Sequence, residues 1–172
     1  MKYEKILMKI AILYGTKYGT TEKVAELISR LIENHNKNDN GLTDVKLINL
    51  KEKDNVNLDF DVLIIGSSVY MGRIRKEVKN FLKKYKNTLI EKHIALFICG
   101  ANEIEGIKQI DKVFPSEIVD HSIVTAFLGG ELNLDKMNFF DSKIAQLIIK
   151  GANKEFKIDN VSIDEFVQKI KF

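Results

Sequence analysis

Apolar runs of strand length, each stopping at a small-residue loop and followed at once by a helical pattern, constrain this chain more than any other feature. Met8–Tyr14 is mostly apolar, and Val24, Ala25, Leu27, Ile28, Leu31 and Ile32 then recur at helical spacing. Val62–Ile65 ends at Gly66, with Val78, Phe81, Leu82 and Tyr85 beyond it. Ile94–Ile98 ends at Cys99 and Gly100, with a helical stretch Ile104–Val113 beyond. Val45–Leu50 alternates as a strand nearer an edge does, a further strand lies within Ile118–Leu128, and Phe139–Ile149 and Ile163–Ile170 read as helices. Strands alternating with helices build a parallel sheet covered on both faces. The expectation is an α/β fold, a three-layer sandwich on a five-stranded parallel sheet, in one domain spanning residues 1–172.

Ligands of such sheets bind beyond the carboxyl ends of the strands. The loops to read are therefore Gly15–Thr21, Ser67–Arg73, Cys99–Gly106 and Gly129–Asn138. The first sets Thr16, Thr20 and Thr21 around Gly15 and Gly19 at the start of a helix. Hydroxyls, free amides and the positive end of a helix dipole together make a phosphate site. Gly19 permits the backbone angles that turn successive amides inward, and Lys17 adds a positive charge. Neither G-x-G-x-x-G nor G-x-x-x-x-G-K-[ST] is present. A receiver domain would need acidic residues where Gly15 and Ser67 stand. Helix capping by Thr20 or Thr21 explains one hydroxyl and leaves two idle.

Other chemistries find little footing. Cys99 is the single cysteine, which excludes internal disulfides and fits a reducing cytoplasm. His35, His93 and His121 lack metal-ligand spacing. A net charge of +3 is too mild to suggest nucleic acid. No apolar run is long enough for a transmembrane segment. The opening "MKYEKILMKI" has no apolar core or cleavage site, so a cytoplasmic protein is expected, with Met1 or Met8 as its start.

The stretch "ILYGTKYGTTEKVAELI" resembles the flavodoxin signature at each defined position, from Ile12 through Thr16, Gly19, Thr21, Ala25 and Ile28. The resemblance implies FMN as cofactor, a flavodoxin-like strand order 2-1-3-4-5, and a phosphate wrapped by Thr16, Lys17, Tyr18, Gly19, Thr20 and Thr21. It places Ser68, Val69, Tyr70, Met71 and Gly72 at the flavin ring, Tyr70 by stacking, Met71 by its sulfur, and Gly72 through an adjacent peptide turned to N5. It places Cys99, Gly100, Ala101 and Asn102 at the pyrimidine end. Cys99, closing a buried strand, is expected to pack rather than react.

Over its length the chain is also similar to the menaquinone-dependent protoporphyrinogen oxidase type of flavodoxin-domain protein. Three segments carry this: "YGTKYGTTEKVAELI", "IIGSSVYMGRIRKEVKNFLKK" and "AFLGGELNLDKMNFFDSKIAQLIIK". That similarity implies an FMN-dependent oxidoreductase of heme biosynthesis, with porphyrinogen and quinone as partners and peripheral contact with the inner face of the membrane. "GGELNLDKMN" departs from it, being acidic to neutral where that family is basic and aromatic. One alternative is a flavodoxin carrying single electrons between redox partner proteins, although such carriers normally have strongly acidic surfaces. Another is a binding module that has lost FMN. "RIRKEVKNFLKKYK", Arg73 to Lys86, reads as the solvated face of a helix, with Arg73 and Arg75 near enough to the site to meet an anionic substrate or partner. The helix Phe139–Ile149 is expected to pack into the core rather than dock on a membrane or partner.

Overall fold

The computed structural model describes residues 7–38, 42–101, 103–152 and 155–170. Five parallel strands form its centre: β1 (Leu7–Gly15), β2 (Leu42–Asn49), β3 (Val62–Tyr70), β5 (His93–Cys99) and β6 (Val124–Phe127). Their order is β2-β1-β3-β5-β6, and a two-residue strand, β4 (Arg73–Ile74), folds back antiparallel on the end of β3. Without that short hairpin this is the doubly wound order 2-1-3-4-5. The switch point lies between β1 and β3, where ligands of such sheets bind.

The period-two alternation within each central strand feeds two separate cores. Ala11, Leu13, Leu63, Ile65, Leu96 and Ile98 face α2 (Lys76–Leu89), α3 (Glu103–Val113) and α4 (Ser116–His121). Ile10, Ile12, Ile64, Ala95 and Phe97 face α1 (Thr20–Asn38) and α6 (Asn160–Lys169). Both faces are buried, so these strands read as continuous apolar runs. The stretch expected to hold the last strand divides in two: Ser116–His121 is a short helix, and only Val124–Phe127 joins the sheet.

One expectation is overturned. Helix α5 (Phe139–Gly151) is not a core helix, since only Asp141 and Ala145 are buried on it. Phe139, Phe140 and Leu147 are 67%, 78% and 70% exposed. The reason is topological. Both sheet faces are already covered by the other helices, so α5 sits at the end of the sheet and touches it by one narrow side. Among the described residues no helix is long and apolar enough to cross a membrane.

Candidate functional site

The first loop gets its shape from Gly19, whose φ is +92°. Its N–H donates to Thr16 Oγ1 at 3.0 Å, and its carbonyl accepts from the Lys23 N–H at 3.1 Å, the first bond of α1. The N–H groups of Thr20, Thr21 and Glu22 therefore precede the helical ladder, at the positive end of the helix dipole. The Tyr14 hydroxyl donates to Glu22 Oε1 at 2.8 Å and ties the end of β1 to that first turn.

A cavity of about 300 Å³ opens beside this loop, at the carboxyl ends of β1, β3 and β5. Thr16, Lys17, Tyr18 and Thr20 line it from the first loop, Ser68, Val69, Tyr70, Met71 and Gly72 from the second, and Cys99, Gly100 and Ala101 from the third. Gly19 and Thr21 stand behind the lining: Gly19 makes the turn, and Thr21 is fully buried. Asn102 lies outside the described residues. Arg75 does not reach toward the cavity as an anion receptor. Its side chain pairs with Glu77 at 3.1 Å, and its N–H donates to Ser67 Oγ at 2.9 Å, so it pins the start of α2 to the end of β3.

The Cys99 thiol is buried, and that burial pushes its pKa up to about 12, with the Thr21 hydroxyl beside it acting in the opposite sense. It is a packing residue, not a nucleophile. Among the described residues, Ser68 Oγ is buried without a hydrogen-bond partner, and Thr21 Oγ1 has only the weak Cys99 thiol beside it.

The fourth wall comes from the segment after β6. Gly130 crosses Gly100 so closely that a Cβ on it would stand 2.3 Å from the Gly100 carbonyl oxygen. Glu131 then reaches over the first loop: its carboxylate binds Lys23 at 2.6 Å, and its carbonyl accepts from the Thr20 hydroxyl at 3.4 Å. Asp141, on the first turn of α5, is the most heavily bonded group of the site. Its carboxylate pairs with Lys17 at 2.7 Å and accepts hydrogen bonds from the Tyr18 and Tyr70 hydroxyls. Asn138 caps the same turn, its Oδ1 accepting from the Asp141 N–H at 2.9 Å. The Lys17 ammonium also lies 3.4 Å from the centroid of the Tyr70 ring.

Leu132 and Met137 come from Gly129–Asn138, a loop the topology already marked, whereas Asp141, Ile144, Ala145 and Ile148 of α5 were not expected in the site. The available signal was the Asn-x-x-Asp capping pattern before an apolar helix, with Ile144, Ala145 and Ile148 spaced to share one face.

The Lys17, Tyr18 and Tyr70 hydrogen bonds hold the Asp141 carboxyl far below its ordinary range, against its own burial. Burial and the bond to Asp141 push Tyr18 up to about 12, and the Asp141 bond followed by burial raises Tyr70. A carboxyl with a lowered folded-state pKa stabilises the fold above its unfolded value of 3.8 and loses that contribution as pH falls toward the folded value. Urea midpoints of the wild type and Asp141→Asn should therefore differ at pH 7 and converge as the pH drops below about 4. A gap that persists unchanged at pH 2.5 would contradict the ion-paired assignment.

A doubly wound sheet with an amide-rich loop and a cavity at the carboxyl ends of its strands, beside the switch point, is the arrangement of α/β proteins that bind phosphate-bearing ligands. The comparisons make the class specific. A family model described as flavodoxin domain matches residues 11–159, and the chain belongs to that family. A flavodoxin of Clostridium saccharobutylicum is 30% identical over 122 residues, 70% of this chain and 71% of that one. A flavodoxin of Buchnera aphidicola subsp. Acyrthosiphon pisum is 35% identical over 99 residues, 56% of this chain, and the match spans about half (54%) of that relative. The solution structure of two-electron reduced Megasphaera elsdenii flavodoxin superposes with a TM-score of 0.53 at 17% identity, over 83% of this chain and 99% of that one, which supports the fold alone.

Proposed function

We propose that this chain binds FMN in the cavity at the ends of β1, β3 and β5 and works as a flavodoxin-type electron carrier between redox partner proteins. The observation that carries this reading is the left-handed Gly19 between the Thr16 hydroxyl and the opening of α1. That geometry leaves consecutive amides free for a dianion. The cavity suits the rest of the cofactor. It is lined from this loop past Tyr70 and Met71 to Gly100 and Ala101, and the Ser68 hydroxyl at its wall has no partner among the described residues.

In the bound state Thr16, Thr20 and the first-turn amides of α1 would hold the phosphate, while the Lys17 ammonium, expected there from the sequence, is instead paired with Asp141 over the Tyr70 ring. Val69, Tyr70, Met71 and Gly72 would flank the ring, and Gly100 and Ala101 would meet its pyrimidine end. When bound, the flavin supplies the redox chemistry. Ile144, Ala145 and Ile148 of α5 would give the cavity an apolar side, facing the second loop.

The protoporphyrinogen-oxidase similarity drawn from three segments has no counterpart in the two relatives described above, both of them flavodoxins.

Purified protein should be yellow, and heat should release a flavin with the mass of FMN. Protoporphyrinogen with a soluble menaquinone analogue should be turned over no faster than in buffer. Colourless protein that takes up no added FMN would sink the cofactor assignment, and FMN-dependent quinone reduction by protoporphyrinogen would sink the carrier reading.

A further inference from the structure

The charge of this chain is unevenly placed. Residues 73–86 hold seven basic side chains and one acidic one, whereas the other 158 residues hold 20 basic and 23 acidic. A molecule of net charge +3 is thus a strongly basic patch on a slightly acidic body.

The fold gathers that patch on one surface. Val78, Phe81, Leu82 and Leu89 turn α2 inward, which leaves Lys76, Lys79, Lys83, Lys84 and Lys86 exposed, with Arg73 exposed on β4. The connection from β2 to β3 adds Lys51 and Lys53, which line a shallow groove of about 230 Å³ together with Lys76 and Lys84. Most nearby acids are committed. Glu77 pairs with Arg75, Glu117 with Lys86, and Glu52 accepts from Asn49. Asp54 also lines the groove, where its carbonyl and the Asn55 side chain hold Lys84. Among the described residues, Lys51, Lys53, Arg73, Lys76, Lys79 and Lys83 have no ion-pair partner.

This patch begins at the rim of the cavity. Arg73 sits opposite Tyr70 in the β3–β4 hairpin, and the tip of that hairpin, Met71 and Gly72, lines the cavity with the Met71 side chain 79% exposed. We propose that the β4–α2 face is the docking surface for an acidic redox protein, whose carboxylates lie along α2 while its redox centre faces the Met71–Gly72 rim. The proposal rests on the carrier reading above and names the polarity of the partner. Single exposed ion pairs contribute little, but six like charges on one face steer a complementary partner and set its orientation. A protein fits this face better than other polyanions do. Val78, Phe81, Leu82 and Leu89 are turned inward and Tyr85 is half-buried beneath Lys84, so among the described residues Met71 at the rim is the one mostly exposed apolar side chain it presents, too little to anchor on a lipid surface or to stack bases.

The test uses the full chain, an acidic [2Fe–2S] ferredoxin and basic cytochrome c as probes, and calorimetry as readout. Wild type should bind the ferredoxin at 20 mM NaCl, at least tenfold more weakly at 300 mM, and should ignore cytochrome c. Lys76→Glu/Lys79→Glu/Lys83→Glu should weaken ferredoxin binding at least tenfold, with the melting temperature and FMN affinity unchanged. The neutral triple change to Gln should fall between the two. Equal binding by all three proteins, or a wild-type preference for cytochrome c, overturns the proposal. So does binding to anionic vesicles or single-stranded DNA with none to the ferredoxin. FMN titration of the same samples separates the two ideas: ferredoxin binding that depends on the lysines in a chain that takes no FMN would sink the carrier reading and leave the face standing.

Discussion

Gly19→Val should yield a folded protein whose FMN affinity is lower by at least about 30-fold. Gly19 sits at φ +92°, a region costing a β-branched residue on the order of 1–3 kcal/mol. In the free protein the loop escapes that cost by rotating out of shape. In the bound protein it must keep the angle, because the angle is what points the amides before Lys23 at one spot. The strain is then felt only on binding, and about 2 kcal/mol corresponds to roughly 30-fold. The site is otherwise open. Among the described atoms only the Lys136 ammonium, at 3.5 Å, lies near where a Cβ would stand, so the melting temperature should barely move. Fluorescence titration with FMN and with riboflavin separates the contributions: the variant should lose most of its preference for the phosphorylated form. FMN binding equal to wild type would place the phosphate elsewhere.

How far the sequence reaches into this site depends on whether the information is local. The loop Gly15–Thr21 was legible because one short stretch holds both the strand end and the helix start, and its glycine and threonines have few other uses together. The loops at Ser68–Gly72 and Cys99–Ala101 followed from the topology, since parallel strands bring their carboxyl ends to one edge. The loop Gly129–Asn138 followed in the same way, but the wall that it forms with Asp141, Ile144, Ala145 and Ile148 was not legible. Its place depends on a pair of glycines, Gly100 and Gly130, crossing with no room for a side chain, and on an ion pair spanning 124 residues of sequence, Lys17 with Asp141. Neither has a periodic trace. The misjudged role of α5 has a similar origin. Its apolar composition resembles that of a core helix, and only the occupancy of both sheet faces by other helices shows that no core position was left for it.

A large loss of stability should come from Gly66→Ala, in the middle of the sheet, at about 3 kcal/mol or more. Gly66 lies opposite Phe97 in the β3–β5 register, and a Cβ on it would stand 2.0 Å from the Phe97 ring. Overfilling a core usually costs about 1–3 kcal/mol because neighbours shift by tenths of an ångström. Here a shift of more than an ångström is needed, and little can give. Phe97 is fully buried and packs edge-on against Phe166 at 6.0 Å, while β3 is held between β1 and β5 on both sides. For a chain of this length that loss corresponds to a fall in melting temperature of roughly 6–12 °C. Gly72→Ala supplies the contrast. It carries the positive φ, +69°, but no described atom lies within 4 Å of the new Cβ, so it should cost only about 1 kcal/mol. The double variant Gly66→Ala/Phe97→Leu tests the cause, because a smaller, flexible side chain makes room for the methyl. Its urea midpoint should lie above the value expected from adding the two single losses. Strict additivity would mean that the ring is not what requires glycine there, and that the close approach of Phe97 to β3 does not set the packing beneath Ser67 and Ser68 at the cavity's edge.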